Sequence, residues 1–203
     1  SLHDALPISS PTACFLTEED PEHLEEALNA ILTSAYTLEE RSLLHVLNPQ
    51  TGKDFYALND AVITRGGYAR LIRVDVSVDG HEYGTFTADG IIVATPTGST
   101  GYSLSAGGPI VEPNMNCKII TPVCPHSTHR CPCVVSENAD ICLHLKSERD
   151  QTAELQIDGQ NMGSLKTDDR IYVYGTEKKI RLIRLRPYDF FGLTRRKLSE
   201  WGT

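Results

Sequence analysis

The residues with the most chemistry to offer lie between Asp89 and Val111, in the run D-G-I-I-V-A-T-P-T-G-S-T-G-Y-S-L-S-A-G-G-P-I-V. An apolar stretch, Ile91 to Ala94, ends in Thr95-Pro96-Thr97-Gly98-Ser99-Thr100-Gly101. Tyr102 to Ala106 can then form a short helix before Gly107-Gly108. Glycines and small hydroxyl side chains at a strand-to-helix junction leave backbone N–H groups unshielded. That suits close approach of a ribose, an adenine edge or a phosphate. No lysine follows at P-loop spacing, and the G-x-G-x-x-G dinucleotide fingerprint does not occur. On composition alone such a run also reads as a plain turn.

Two further groups carry chemical potential. Asn59-Asp60 offers an amide and a carboxylate side by side, suited to a ligand edge with donors and acceptors, although both are also turn formers. Cys124, His126, His129, Cys131 and Cys133 fall within ten positions and include zinc-ligand types. Against a zinc site, no C-x-x-C pair is present and Pro132 restrains a Cys131–Cys133 chelate. Cys14, Cys117 and Cys142 are scattered. The expectation is free thiols and no metal site, with a Cys/His metal-binding interaction domain as the alternative.

The elements around these residues are those of a compact, mostly β protein. With 19 Lys+Arg against 27 Asp+Glu, the 203-residue chain carries a net charge of −8, which argues against a nucleic-acid partner. No apolar stretch approaches the ~20 residues needed to cross a bilayer. The first ten residues lack the basic and apolar regions of a signal peptide, so no membrane partner and a cytoplasmic location are expected. Asp20 as N-cap, Pro21 at the first position and Leu24, Ala27, Leu28 and Ile31 at helical spacing predict one amphipathic helix. Tyr36 to Leu47 is too mixed to assign. From Tyr56 onward the period becomes two. Ile72, Val74, Val76 and Val78 alternate with polar residues, Asp79-Gly80 reads as a hairpin turn and Asp158-Gly159 as a further turn, and the run after Gly80 ends at Asp89-Gly90. Leu155 to Ile157, Ile171 to Tyr174 and Ile180 to Leu185 add short strands. The expected fold class is mainly β, an antiparallel sandwich.

Several motifs in order resemble the NAD kinase family. Thr95 to Tyr102 resembles its TPTGSTAY-like run, and Ala57-Leu58-Asn59-Asp60 its NE/D motif. Thr87-Ala88-Asp89-Gly90 resembles a second acidic turn, Ile120 to Ser127 the strand and loop that follow, and Leu155 to Gln160 a late DGQ turn. The resemblance runs from Cys14-Phe15-Leu16-Thr17, similar to the end of a G-F-L-T motif, to Trp201-Gly202. It implies an antiparallel β-sandwich-like C-terminal domain of the NAD kinase fold over 51–203, with 11–50 a remnant of the N-terminal α/β domain and its connecting helix.

That resemblance also implies roles. Asn59 and Asp60 would hydrogen-bond adenine and ribose groups of NAD. Thr100, Gly101, Tyr102, Ser103, Leu104 and Ser105 would line the adenosine pocket, with Tyr102 packing on the base. Arg70, Thr87 and Gln160 occupy NAD-contact positions, and Asp89 would face the nicotinamide end of its own or a neighbouring subunit's NAD. The implied reaction is phosphoryl transfer from ATP, or from polyphosphate in some relatives, to the 2′-hydroxyl of the adenosine ribose of NAD. A divalent ion, Mg²⁺ by expectation, would accompany ATP in a homodimer or homotetramer.

Two departures stand out. No G-G-D-G turn, whose aspartate activates the 2′-hydroxyl in the family, occurs in this sequence. Residues 1–10, S-L-H-D-A-L-P-I-S-S, do not resemble the family and read as a leader foreign to it. In addition, Cys131 stands where relatives tend to have an arginine. The expected chain is therefore a fragment without turnover whose parent gene encodes the missing turn. The alternative is a nucleotide-binding or oligomerisation module with no catalytic role.

Overall fold

A computed structural model of the chain describes residues 4–5, 21–66, 71–126, 130–146 and 152–201. In chain order, β1 is Asp4–Ala5, α1 Leu24–Leu32, β2 Thr37–Ser42, β3 Leu44–Asn48, β4 Lys53–Ala57 and β5 Asp60–Arg65. Next come β6 Ile72–Val78, β7 His81–Ala88, β8 Gly90–Ala94, the one-turn α2 Tyr102–Ser105, β9 Cys117–Val123 and β10 Cys133–Ser136. The chain then forms β11 Ile141–Leu145, β12 Ala153–Ile157, β13 Gln160–Leu165, β14 Arg170–Tyr174, β15 Lys179–Arg184 and α3 Phe190–Trp201. Contacts divide it into two units, 42–179 and a second formed by 1–41 with 180–203.

Residues 42–179 make two six-stranded sheets, in the orders β10-β9-β8-β5-β12-β13 and β4-β3-β14-β11-β6-β7. Every described pairing within them is antiparallel. The alternation in β6 has the predicted cause: Ile72, Val74 and Val76 are buried while Arg73 faces water. One apolar core lies between the sheets, with Ala61, Ile63, Ile91, Val93 and Leu155 from one and Val46, Val74, Phe86, Leu143 and Val173 from the other. Each fully buried Val, Leu, Ile or Phe contributes about 1.5–3 kcal/mol of transfer free energy, offset by the entropy of ordering the chain. The sandwich expected from the pattern is the sandwich observed.

Strands β8 and β9 are buried along their whole length because a second apolar layer covers their outer face. Val62, Ile92, Ala94, Ile119 and Val123 form that layer with Val111 and Ala106 from the segment after β8. The same segment contains the glycine- and hydroxyl-rich run, so its position is fixed by apolar packing. Lys118, on β9, is 1% exposed, and its Nζ donates to the carbonyls of Ala139 and of Val173 on the opposite sheet.

Asp79-Gly80 and Asp158-Gly159 are hairpin turns with both residues left-handed, at φ 51 and 77 and at φ 47 and 77. Gly has no Cβ penalty there and Asp tolerates it, which is why these dipeptides signal such turns. Asp89-Gly90 is different. Asp89 is the single residue between β7 and β8, where the chain leaves one sheet for the other. It is a crossover and not a hairpin. A Cβ on Gly90 would stand 2.7 Å from the Ile63 carbonyl oxygen, so close packing requires glycine there.

The unit of 1–41 and 180–203 has a three-stranded sheet, β1-β15-β2, with β1 and β15 parallel. Glu39 bridges Arg41 at 2.8 Å and Arg184 at 2.5 Å, and both guanidinium groups lie over the Tyr188 ring. The predicted first helix exists but begins later: Pro21–His23 is a 3-10 turn, and α1 starts at Leu24. Its Ala27 is buried, whereas Leu24 and Leu28 are 43% and 50% exposed, contrary to one uniform apolar face. The unassigned Tyr36–Leu47 stretch becomes β2 and most of β3. Helix α3 had no counterpart in the sequence reading. Its inward positions include Thr194 and Lys197 beside Phe190, so polar residues break the apolar periodicity. Cys14 to Thr17, the Asp20 cap, Arg70 and His129 lie outside the described residues.

Candidate functional site

Three of the sequence motifs interlock around Leu58, Asn59 and Asp60. From one side, the turn residue Asp158 presents its carboxylate to three consecutive backbone N–H groups. Oδ2 accepts from Leu58 at 2.8 Å, and Oδ1 from Asn59 at 2.7 Å and Asp60 at 3.1 Å. The Asp158 N–H returns a bond to the Asp60 carbonyl at 3.0 Å. From the other side, Thr95 donates its N–H to the Asn59 carbonyl at 2.8 Å and its hydroxyl to the Leu58 carbonyl at 2.6 Å. The Thr95 hydroxyl also accepts from the Gly98 N–H at 3.1 Å. The backbone of this segment is thus fully used in holding its own shape.

The two side chains are not. Among the described residues neither Asn59 nor Asp60 has an internal side-chain hydrogen bond, and Asp60 is only 6% exposed. Burial, helped by the negative charge of Asp158, raises the Asp60 carboxyl from 3.8 to about 6. A largely buried carboxylate gains from a ligand that brings donors.

Tyr102 stands at the start of α2 and is 44% exposed. Its hydroxyl pKa is raised by desolvation and by the nearby Cys124, Asp89 and Asp60. Those charges lie near enough to act on its hydroxyl. Asp89 accepts an ion pair from Arg65 Nε at 2.9 Å. Thr87, half-buried on β7, offers its carbonyl to the His126 N–H at 2.8 Å and so ties the Cys124–His126 loop to the same edge. Gly101, Ser105 and Gln160 are exposed, and Leu104 is half-buried.

Other residues in the run are committed internally. Ser103 is fully buried and shares a 2.9 Å hydrogen bond with Thr121, and the buried Thr100 hydroxyl donates to the Thr97 carbonyl at 3.3 Å. Ser99, also fully buried, exchanges bonds with the Val111 backbone in both directions, pinning the far end of the loop. The residues that sequence reasoning missed are Asp158 and Thr95, which build the clamp. Their signal was present as a turn and a loop, but only the pairing of β12 with β5 brings Asp158 onto Asn59. Cys117, Cys124, Cys131, Cys133 and Cys142 are free. No group of three His, Cys, Asp or Glu side chains among the described residues is arranged to hold a metal ion.

Comparison with known proteins identifies the family. Residues 58–185 match the family described as the ATP-NAD kinase C-terminal domain. The chain is 42% identical to an NAD kinase of Moorella thermoacetica, over 93% of this chain and 61% of that protein. It is also 42% identical to one of Geotalea daltonii, over 93% of this chain and 66% of that protein. The chain therefore spans less than two thirds of the length of the first of these curated relatives. Among solved structures, yeast NADH kinase in complex with NADH superposes with a TM-score of 0.86 at 28% identity, covering 97% of this chain and 58% of that one. An NAD kinase from Archaeoglobus fulgidus in complex with ATP gives 0.72 at 31% identity, covering 89% and 69%.

Proposed function

Because this chain belongs to the ATP-NAD kinase family through its C-terminal domain, we propose that its interlocked turns hold the adenosine of NAD. The activity served is transfer of a phosphoryl group from ATP to the 2′-hydroxyl of that adenosine ribose, giving NADP. One observation carries the reading: Asp60, a residue only 6% exposed, and the adjacent Asn59 sit on a backbone held by Asp158 and Thr95, and neither side chain has a hydrogen-bond partner among the described residues. Ribose hydroxyls and the adenine amino group are donors of the kind such a carboxylate needs, and the Asn59 amide can both donate and accept. In this reading Tyr102 offers its partly exposed ring to the base, and Asp89 and Gln160 contact the nucleotide. Arg70 completes the proposed contact set. Thr100 and Ser103 contribute by shaping the loop.

Phosphoryl transfer depends on positioning, on a base for the attacking hydroxyl and on charge neutralisation at the phosphates. This chain supplies positioning. The family's base comes from a G-G-D-G turn that these 203 residues do not contain. The divalent ion carried by ATP has no protein-built cage among the described residues. The 203-residue chain should accordingly bind NAD weakly and show no turnover, since loss of a positioned base alone costs roughly 10²–10⁴-fold. Titration calorimetry with NAD, alongside a coupled assay for NADP with ATP and Mg²⁺, tests both halves. Absence of NAD binding would overturn the site assignment, and robust turnover would mean that the base lies within this chain. A cytoplasmic location and assembly into a homodimer or homotetramer belong to the same proposal, and light scattering of the purified protein checks the latter.

A further inference from the structure

We infer that Asp158 is a positioning residue, whose carboxylate fixes the Asn59–Asp60 segment in the shape that receives the nucleotide. Three successive N–H groups converging on one point form a concave anion nest of the kind that proteins use to hold phosphates and carboxylates. Here an internal carboxylate fills it, at 2.7–3.1 Å from all three donors. Charge-assisted bonds are the stronger kind, and three on one group leave the 58–60 backbone little freedom. The opposite face is closed by Thr95 and by Gly98, so a displacement on the Asp158 side cannot be absorbed on the other. With the backbone saturated, the only groups of Asn59 and Asp60 left to meet a ligand are their side chains. Asp158 itself is exposed at the hairpin tip, and its oxygens point back at the chain.

A matched internal control exists. Asp79 also begins an Asp-Gly turn with a left-handed backbone, at φ 51. Its carboxylate accepts from the Asp140 N–H at 2.7 Å, and its own N–H donates to the Asp140 carbonyl at 2.8 Å. Asp79 therefore makes the same kind of turn and clamp on the other sheet, away from the candidate site.

The inference rests on the NAD-binding reading, and the test separates the two. NAD affinity and amide hydrogen exchange at residues 58–60 are measured for the full chain, for Asp158→Ala, for Asp158→Asn and for Asp79→Ala. Asp158→Ala should weaken NAD binding by about tenfold or more, the scale of one lost charge-assisted hydrogen bond, and should speed exchange at Leu58, Asn59 and Asp60. Asp158→Asn, which keeps the shape and one acceptor, should move both readouts in the same direction by less. Asp79→Ala should leave NAD affinity within about twofold, because surface substitutions away from a site act only through stability. Undiminished affinity in a folded Asp158 variant, or an equal loss in Asp79→Ala, would overturn the assignment. If the wild-type chain binds no NAD, the function falls. The positioning role is then decided by exchange, and unchanged protection at residues 58–60 in Asp158→Asn refutes it.

Discussion

Gly98 lies so close to Asn59 that a Cβ on it would stand 2.1 Å from the Asn59 carbonyl oxygen, against backbone that is held from two sides. Gly98→Ala should therefore destabilise the chain by about 3 kcal/mol or more, at the upper end for overpacking. Gly101→Ala, where the Cβ meets only the Gly98 carbonyl at 3.4 Å and φ is −97, should stay close to wild type. Thermal unfolding of the two variants checks this. A Gly98→Ala melting temperature equal to that of Gly101→Ala would show that the loop can shift.

Asp60 gives the apo protein a defined acid response. Its folded carboxyl is raised from 3.8 to about 6, so the folded chain holds its proton more tightly than the unfolded chain does. The associated stability is fully present below 3.8 and is lost as pH rises through about 6, a loss of about 2–3 kcal/mol by neutral pH. Asp60→Asn should flatten this part of a stability-versus-pH curve and raise apo stability at pH 7. NAD binding should run the opposite way, weakening as pH falls below about 6 because the ionised acid is the better acceptor. Denaturant titrations and NAD isotherms between pH 4 and pH 8 provide the measurement. A variant no more stable than wild type at pH 7 contradicts the burial argument.

The lysine across the two sheets titrates in a different window. Burial lowers Lys118 from 10.5 to about 8, against the opposing pull of Asp140, Asp79 and Glu137. Here the unfolded chain binds the extra proton, so stability is expected to rise between about pH 8 and 10.5, by about 3 kcal/mol for this group. Lys118→Met removes the cation and leaves the Ala139 and Val173 carbonyls without this donor. Its unfolding free energy should lose that rising component, visible as the difference between the two proteins across the window. Parallel curves for wild type and variant would rule out the buried cation as its source.

Tyr102 and Ser103 are neighbours in sequence with opposite expectations. The exposed Tyr102 ring makes Tyr102→Ala nearly neutral for stability, within about 0.5 kcal/mol, while NAD affinity should fall. Ser103→Ala breaks a fully buried hydroxyl pair with Thr121. That should cost about 1–2 kcal/mol of stability, with affinity falling only as far as the loop loosens. Paired melts and isotherms distinguish the roles, and a reversal of the two patterns would exchange them.

What could be read from the sequence follows from the range of the interactions involved. The alternation of Ile72 to Val78 and the Asp79-Gly80 and Asp158-Gly159 turns are local, and each predicted an element that exists. Asn59-Asp60 and the Thr95–Tyr102 run were legible as motifs because both must carry particular side chains. The crossover at Asp89 was not legible, because Asp-Gly marks a local bend and says nothing about which sheet receives the next strand. The clamp by Asp158 depends on β12 lying beside β5, a pairing between residues about a hundred positions apart. Helix α3 was hidden because Thr194 and Lys197 take inward positions where the periodicity test looks for apolar residues.

The strands at the borders of the two sheets carry a further consequence, for how copies of this chain can meet. An outermost strand with free N–H and C=O groups invites another chain to pair with it. Strand β7 is bulged where its register with β6 shifts at Val76/Ser77, and β13 is bulged against β12, with Gly163 at φ 131 beside the irregularity. Strand β10 is four residues long and is preceded by Pro132, which has no N–H to offer. Strand β4 opens with the exposed charges Lys53 and Asp54. Each border is therefore bent, short, proline-blocked or charged. Continuous extension of these two sheets from one molecule into the next is disfavoured at all four borders.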